Sequence, residues 1–282
     1  MDTRSLIAFA SVATIWGSTY LAIKIGLADL PPLTFATLRF AVASLIMFAY
    51  LAIKRERIWP HRDEWPPLLG MSLCMTSIPY GLVFWGQQYV SSGMASILTA
   101  SMPLFVVFIA WGWIREPLTL DKIGGVALGL VGLALLYWDQ LGSASSVLGG
   151  AAVTASALAY GLGTVYGKVL GNRLTPLLLN TWQMALGTLA LAGVAWVQEG
   201  LAIPKLSLLS LSALIYLAVF GSVVAWLLYF WLMGRIPAST LSLVSFVSPI
   251  VSVILGAFAD EAITPMILVG MCPWSWYIAT TR

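Results

Sequence analysis

Ten stretches of about 20 predominantly apolar residues follow one another along this chain, and nothing else constrains its fold as strongly. They run roughly over 6–28, 33–53, 66–88, 92–114, 120–138, 148–169, 176–197, 207–230, 238–258 and 264–279. Each is long enough to cross a bilayer as an α-helix. The chain is 60% hydrophobic and 9% charged, whereas a soluble domain carries roughly 25% charge. So little polar material cannot cover a soluble surface, so the solvent is lipid. The expectation is an all-α integral membrane protein with short connections. The "AFASVA" near the start imitates a signal-peptide cleavage site. It is read instead as part of a retained first helix, because that segment is one copy of a phrase repeated inside the chain.

The positive charges orient the bundle. With the N-terminus inside and the spans alternating, Arg4, Lys54, Arg55, Arg57, Arg62, Arg115, Lys122, Lys168, Arg173, Arg235 and Arg282 fall on the inner side. Lys205 alone falls outside, while Lys24 and Arg39 lie within spans. Inner loops carry the Lys/Arg excess, so both termini are placed in the cytoplasm. The basic residues thereby have a topological use, and nucleic acid is not an expected partner. All 11 acids lie in tails, loops or helix ends. The two cysteines, Cys74 and Cys272, lie in apolar runs without a disulfide or metal pattern, and the single His61 lies in a charged loop. No metal and no cofactor is expected.

The chain also repeats itself. "IWGSTYLAIK" at Ile15–Lys24 returns as "AYGLGTVYGK" at Ala159–Lys168. At this offset of 144, Trp16 pairs with Tyr160, Gly17 with Gly161, Lys24 with Lys168, Pro32 with Pro176 and Thr37 with Thr181. Further on the offset becomes 146: Phe84 pairs with Phe230, Trp85 with Trp231, Ser96 with Ser242, Thr99 with Ser245 and Pro103 with Pro249. "REPLT" at Arg115–Thr119 is echoed by "DEAIT" at Asp260–Thr264. The expected division is residues 1–142 and 143–282, five helices each. Five is odd, so the second copy enters the membrane from the opposite side. Such inverted repeats are the architecture of many secondary transporters, with the substrate site between the halves.

"SVATIWGSTYLAIK", "FATLRFAVASLI", "YVSSGMASILTASMPLFVVFIAW" followed by "REPLT", and "IPASTLSLVSFVSPIVSVILGAF" resemble the drug/metabolite transporter superfamily, EamA branch. The resemblance covers roughly residues 6–270. Within the branch the chain is most similar to bacterial aromatic amino acid exporters of the YddG type. The resemblance implies export of small metabolites across the bacterial inner membrane. One stretch departs from it: "VGMCPWSWYIATTR" puts Pro273, Trp274 and Trp276 in the tenth span where its counterpart, Gly124–Trp138, has small residues.

Several residues are candidates for the substrate route. Ser96, Thr99 and Pro103 share one helix face, and Ser242, Ser245 and Pro249 repeat it. A mid-helix proline frees the carbonyl four residues earlier, here that of Thr99 or Ser245. A freed carbonyl in lipid needs a partner or a water-lined cavity. The faces are therefore either cavity walls whose acceptors meet an ammonium group, or repairs to kinks and helix packing. Trp16, Tyr80 and Tyr160 lie near mid-span and either line a cavity or pack the core. Trp85, Trp111, Trp113, Trp138, Trp196 and Trp231 lie near span ends and read as an interfacial belt. Lys24 and Lys168 read as snorkelling cations. Arg39 could attract a carboxylate at an outer vestibule. Gly125 and Gly129 suit a close helix contact, within the chain or in a weak homodimer.

Competing functions are weakened by what the spans lack. An intramembrane protease needs paired acids, Ser with His, or a metal helix. A nucleotide-sugar carrier wants Lys or Arg at mid-membrane. A proton-coupled exporter of cationic drugs wants an embedded acid, and a channel wants a filter ring. What remains is a carrier of small neutral or zwitterionic solutes. The resemblance narrows these to aromatic and other apolar amino acids, with a broad drug/metabolite exporter as the alternative. The expected partners are that solute and the lipid bilayer.

Overall fold

The computed structural model describes residues 1–120, 123–125, 127–128, 131, 144–171, 173–200 and 206–258. Eight helices among them are long and apolar enough to cross a membrane. They are α1 (Thr3–Gly26), α2 (Pro32–Lys54), α3 (Arg62–Gly86), α4 (Ser92–Ile114), α5 (Ala144–Leu170), α6 (Pro176–Glu199), α7 (Leu208–Met233) and α8 (Ala238–Ser242 with Val244–Phe258). These match the first four and the sixth to ninth expected spans. The expected fifth and tenth spans, with Gly129 and Trp138, lie largely or wholly outside the described residues.

The helix starts follow local rules. Asp2, Ser91, Thr175 and Ser207 accept hydrogen bonds from the backbone N–H three residues on, and so cap α1, α4, α6 and α7. Pro32 and Pro176 open α2 and α6, where the missing N–H costs nothing. Acids at the loop ends cap across the structure as well. Glu199, the last residue of α6, accepts from the Leu33 N–H at 2.8 Å and from the Thr34 N–H and hydroxyl at 2.7 Å each. Asp29 accepts from the Ser207 N–H at 2.9 Å. These carboxylates neutralise helix N-termini.

The bundle packs α2 on α6, α1 on α8, and α5 on α3 and α4. The repeated aromatic–Gly phrase has a packing use. A Cβ on Gly17 would lie 2.6 Å from the Ser248 carbonyl oxygen and 2.6 Å from the Val251 Cβ. At Gly161 it would lie 3.2 Å from the Phe105 Cβ. Val251 and Phe105 themselves stand 146 residues apart. Each glycine lets its helix close on a partner while the preceding aromatic turns elsewhere.

Two helices carry π-helical segments, Leu73–Ser77 in α3 and Leu217–Val224 in α7. A π turn displaces one helix register relative to the next and recurs at functional sites. Both segments are tethered in the same way. Arg39 Nε donates to Ser222 Oγ at 2.9 Å, and Thr76 Oγ1 donates to Gln183 Oε1 at 2.5 Å. Ser222 and Thr76 are the segment residues, 146 apart, and Arg39 and Gln183 stand 144 apart.

Three expectations change in detail. Lys168 does not snorkel but donates to the Ile236 carbonyl just beyond α7. Arg39 is 0% exposed, within the bundle rather than at an outer vestibule. The proline-bearing faces are not equivalent: α4 is interrupted at Ala100 and Ser101, just before Pro103, whereas α8 is interrupted at Leu243 and runs unbroken through Pro249.

Candidate functional site

The mid-span aromatics meet. Trp16 on α1, Tyr80 on α3, Tyr160 on α5 and Trp226 and Tyr229 on α7 face one cavity, together with Tyr20, Thr99, Ser245 and Ser248. Tyr80 and Tyr160 pack edge to face at 5.7 Å between ring centroids. Trp16 lies 5.0 Å from both Trp226 and Tyr229. The polar ends of the rings are partnered within the wall. Trp16 Nε1 donates to the Gly221 carbonyl at 3.3 Å, the Tyr229 hydroxyl bonds Thr164 Oγ1 at 2.7 Å, and Trp226 Nε1 donates to the Tyr80 hydroxyl at 3.2 Å.

The lining follows the repeat. Trp16 and Tyr160 both line the cavity, and so do Tyr80 and Trp226, Val83 and Tyr229, Thr99 and Ser245, and Met102 and Ser248. The cavity is thus lined by residues 144 or 146 apart in the sequence, drawn from α1, α3, α4, α5, α7 and α8.

Four of the other candidates, Ser96, Ser242, Pro103 and Pro249, are not among the lining residues. Ser96 and Ser242 are buried and donate to the carbonyls of Gly93 and Ser239, one turn back. Pro103 and Pro249 do not line the cavity. Thr99 and Ser245 do line it, although their hydroxyl hydrogens go to the carbonyls of Ala95 and Ser242. Each oxygen keeps acceptor capacity toward the cavity. Sequence reasoning missed Trp226 and Tyr229. A signal for Trp226 existed, because the 146 offset applied to Tyr80 lands on it; Tyr229 has only Val83 as counterpart.

The cavity volume is about 50 Å³. One water needs about 10–15 Å³ measured this way, and ligand pockets run to about 300–1,000 Å³. This conformation therefore admits a few waters and no substrate the size of an amino acid. Among the described residues the lining contains neither a carboxylate nor a basic side chain. It can offer ring faces, hydroxyl oxygens and thioethers to an apolar or zwitterionic solute, but no proton relay of its own.

Comparison with known proteins places the chain in a family. The model of the EamA-like transporter family matches the chain twice, over residues 3–138 and 147–273. The uncharacterized transporter YoaV of Bacillus subtilis is 26% identical over 270 residues, covering 95% of this chain and 92% of its own length. The uncharacterized inner membrane transporter YedA of Escherichia coli K12 is 32% identical over 250 residues, covering 86% of this chain and 78% of its own. A crystal structure at 17% identity shares the fold, with a TM-score of 0.76 over 99% of this chain and 97% of that one. Sequence, helices and relatives converge: the chain is a multi-pass membrane protein of the EamA-like transporter family.

Proposed function

We propose that this transporter exports small neutral or zwitterionic metabolites, aromatic and other apolar amino acids foremost, by alternating access about the aromatic cavity. The observation that carries this reading is the lining: paired aromatic and hydroxyl residues from equivalent positions, with no charge among them. Ring faces match an aromatic side chain and also attract an ammonium group. The architecture proposed is ten helices in two inverted five-helix repeats, residues 1–142 and 143–282. The twofold family match and the matched lining support it. Two halves of opposite topology rock about a site between them, and the narrow cavity is one state of that cycle. The proposed location is the bacterial inner membrane with both termini cytoplasmic.

The test is transport by purified protein in liposomes: labelled L-Phe should move, and unlabelled Tyr and Trp should compete. Transport of a nucleotide sugar with no movement of Phe overturns the reading. For topology, Ser143→Cys and Gly200→Cys should react from the periplasm in intact cells, and Asp63→Cys only after permeabilisation.

Broad drug/metabolite export is the second reading. Met75 and Met102 in the wall favour it, because flexible thioether side chains repack around differently shaped solutes. Competition of Phe transport by unrelated apolar drugs distinguishes the two.

A further inference from the structure

Among the described residues, the buried polar atoms without a hydrogen-bond partner are Arg39 Nη1 and Nη2, Gln87 Oε1 and Asn180 Nδ2. Only Arg39 brings a full charge. It is 0% exposed, and its single hydrogen bond is from Nε to Ser222. The guanidinium carbon lies 4.6 Å from the Tyr80 ring centroid and 5.0 Å from that of Phe40. Such ring contacts offset only a part of what burying an unpaired charge costs. The acids at the adjoining helix ends are committed to caps: Glu199 caps α2 and Asp29 caps α7. Arg39 thus presents a planar, charged fork whose two outer nitrogens have no counterpart among the described residues. That fork matches a carboxylate in two parallel hydrogen bonds.

The position is as telling as the chemistry. A Cβ on Gly221 would lie 2.8 Å from Thr19 Cγ2 and 2.9 Å from Arg39 Nη2. Thr19 and Tyr80 both line the central cavity. The guanidinium therefore sits one side-chain layer behind the cavity wall, with the Tyr80 ring against it.

We infer that Arg39 is the carboxylate subsite of this cavity, exposed to it when the Tyr80 ring moves aside. The substrate class is then a small carboxylate-bearing molecule with an apolar body, the body held among the rings and the carboxylate on the fork. For an amino acid, which rests on the function proposed above, the ammonium group lies toward the aromatic faces and hydroxyl oxygens. The two halves are unequal in this respect. The position equivalent to Arg39 is Gln183, a neutral amide that makes the matching contact to Thr76. The carboxylate end consequently points to one half only, and the substrate has a fixed polarity in the site.

That same inequality supplies the test. Arg39→Gln installs the side chain that the other half already uses for the equivalent tether, so the fold is expected to survive, as judged by thermal midpoint and elution. Equilibrium binding to protein in lipid nanodiscs is measured with L-Phe, 3-phenylpropionate and 2-phenylethylamine. The variant should bind the two carboxylates about tenfold to a hundredfold more weakly, and the amine unchanged. Should Arg39→Gln fail to fold, Arg39→Lys keeps the charge, lacks the fork and carries the same comparison. Phe binding that is undiminished in the variant overturns the carboxylate subsite and leaves amino acid transport standing. Phenylpropionate binding that depends on Arg39, with no binding of Phe, upholds the subsite and overturns the amino acid reading. Wild-type protein that binds neither carboxylate overturns both.

Discussion

The indole nitrogen of Trp226 donates to the hydroxyl of Tyr80 at 3.2 Å, and these two residues stand 146 positions apart, the offset of the sequence repeat. Residues one repeat offset apart in the sequence thus touch in the wall of the cavity. Both are buried, at 7% for Tyr80 and 1% for Trp226, so the indole N–H has no ready substitute for its acceptor. Tyr80→Phe should lower stability by about 1–3 kcal/mol, the range for an unsatisfied buried donor. Thermal unfolding in detergent checks this. A variant as stable as wild type would mean that the indole finds another acceptor.

Removing whole rings should act on transport. Trp16→Ala, Tyr80→Ala and Tyr160→Ala should each slow Phe movement in liposomes severalfold, because the cavity loses a ring face. Trp113→Ala should have little effect, since Trp113 is half-exposed and stacks on Tyr166 away from the cavity. Equal small losses in all four variants would assign the three central aromatics to packing.

The two glycines of the repeated phrase should differ in tolerance. Gly17→Ala drives a methyl to 2.6 Å from the Ser248 backbone oxygen, which cannot rotate away. A cost of about 1–3 kcal/mol is expected for such overpacking. Gly161→Ala meets the Phe105 Cβ at 3.2 Å, which a small helix shift relieves. The thermal midpoint should therefore fall clearly more for Gly17→Ala than for Gly161→Ala.

Asp29 makes the loop before α2 acid-sensitive. Hydrogen bonds from Ser207, and then from Ser210, hold its carboxyl below the usual carboxylate range. A depressed folded pKa means that the stabilisation is complete above the unfolded value of about 3.9 and is lost as pH falls through the lower folded one. Unfolding midpoints measured between pH 7 and pH 3 should decline more for wild type than for Asp29→Asn at the acid end. Parallel curves would show that the cap contributes nothing.

Energy coupling follows from where the acids stand. Proton-driven carriers commonly relay through a buried carboxylate. Asp2, Asp29 and Glu199 serve as helix caps, and no acid among the described residues lines the cavity. Transport of a zwitterion should then be facilitated diffusion down its own gradient. Liposomes with equal Phe on both sides should show no net accumulation when a pH gradient is imposed. Accumulation abolished by a protonophore would direct attention to Lys24 or to an acid such as Glu116.

The sequence by itself determined the helical class and the positions of eight described spans. Those features are periodic and local: a 20-residue apolar run can satisfy its backbone in lipid only as a helix. It also singled out Trp16, Tyr80 and Tyr160, because a polar-tipped ring at mid-span needs a partner. Which rings share one cavity depended on the register with which α1, α3, α5 and α7 pack, and apolar periodicity is nearly the same on every face of a helix in lipid. The π segments that precede Tyr80 and Trp226 shift that register and have no signature in the apolar pattern. Only the tertiary structure placed Arg39 behind the cavity wall rather than at a membrane face. Its depth along α2 could be counted from the sequence, but the direction of its side chain was decided by Ser222 on a helix about 180 residues away.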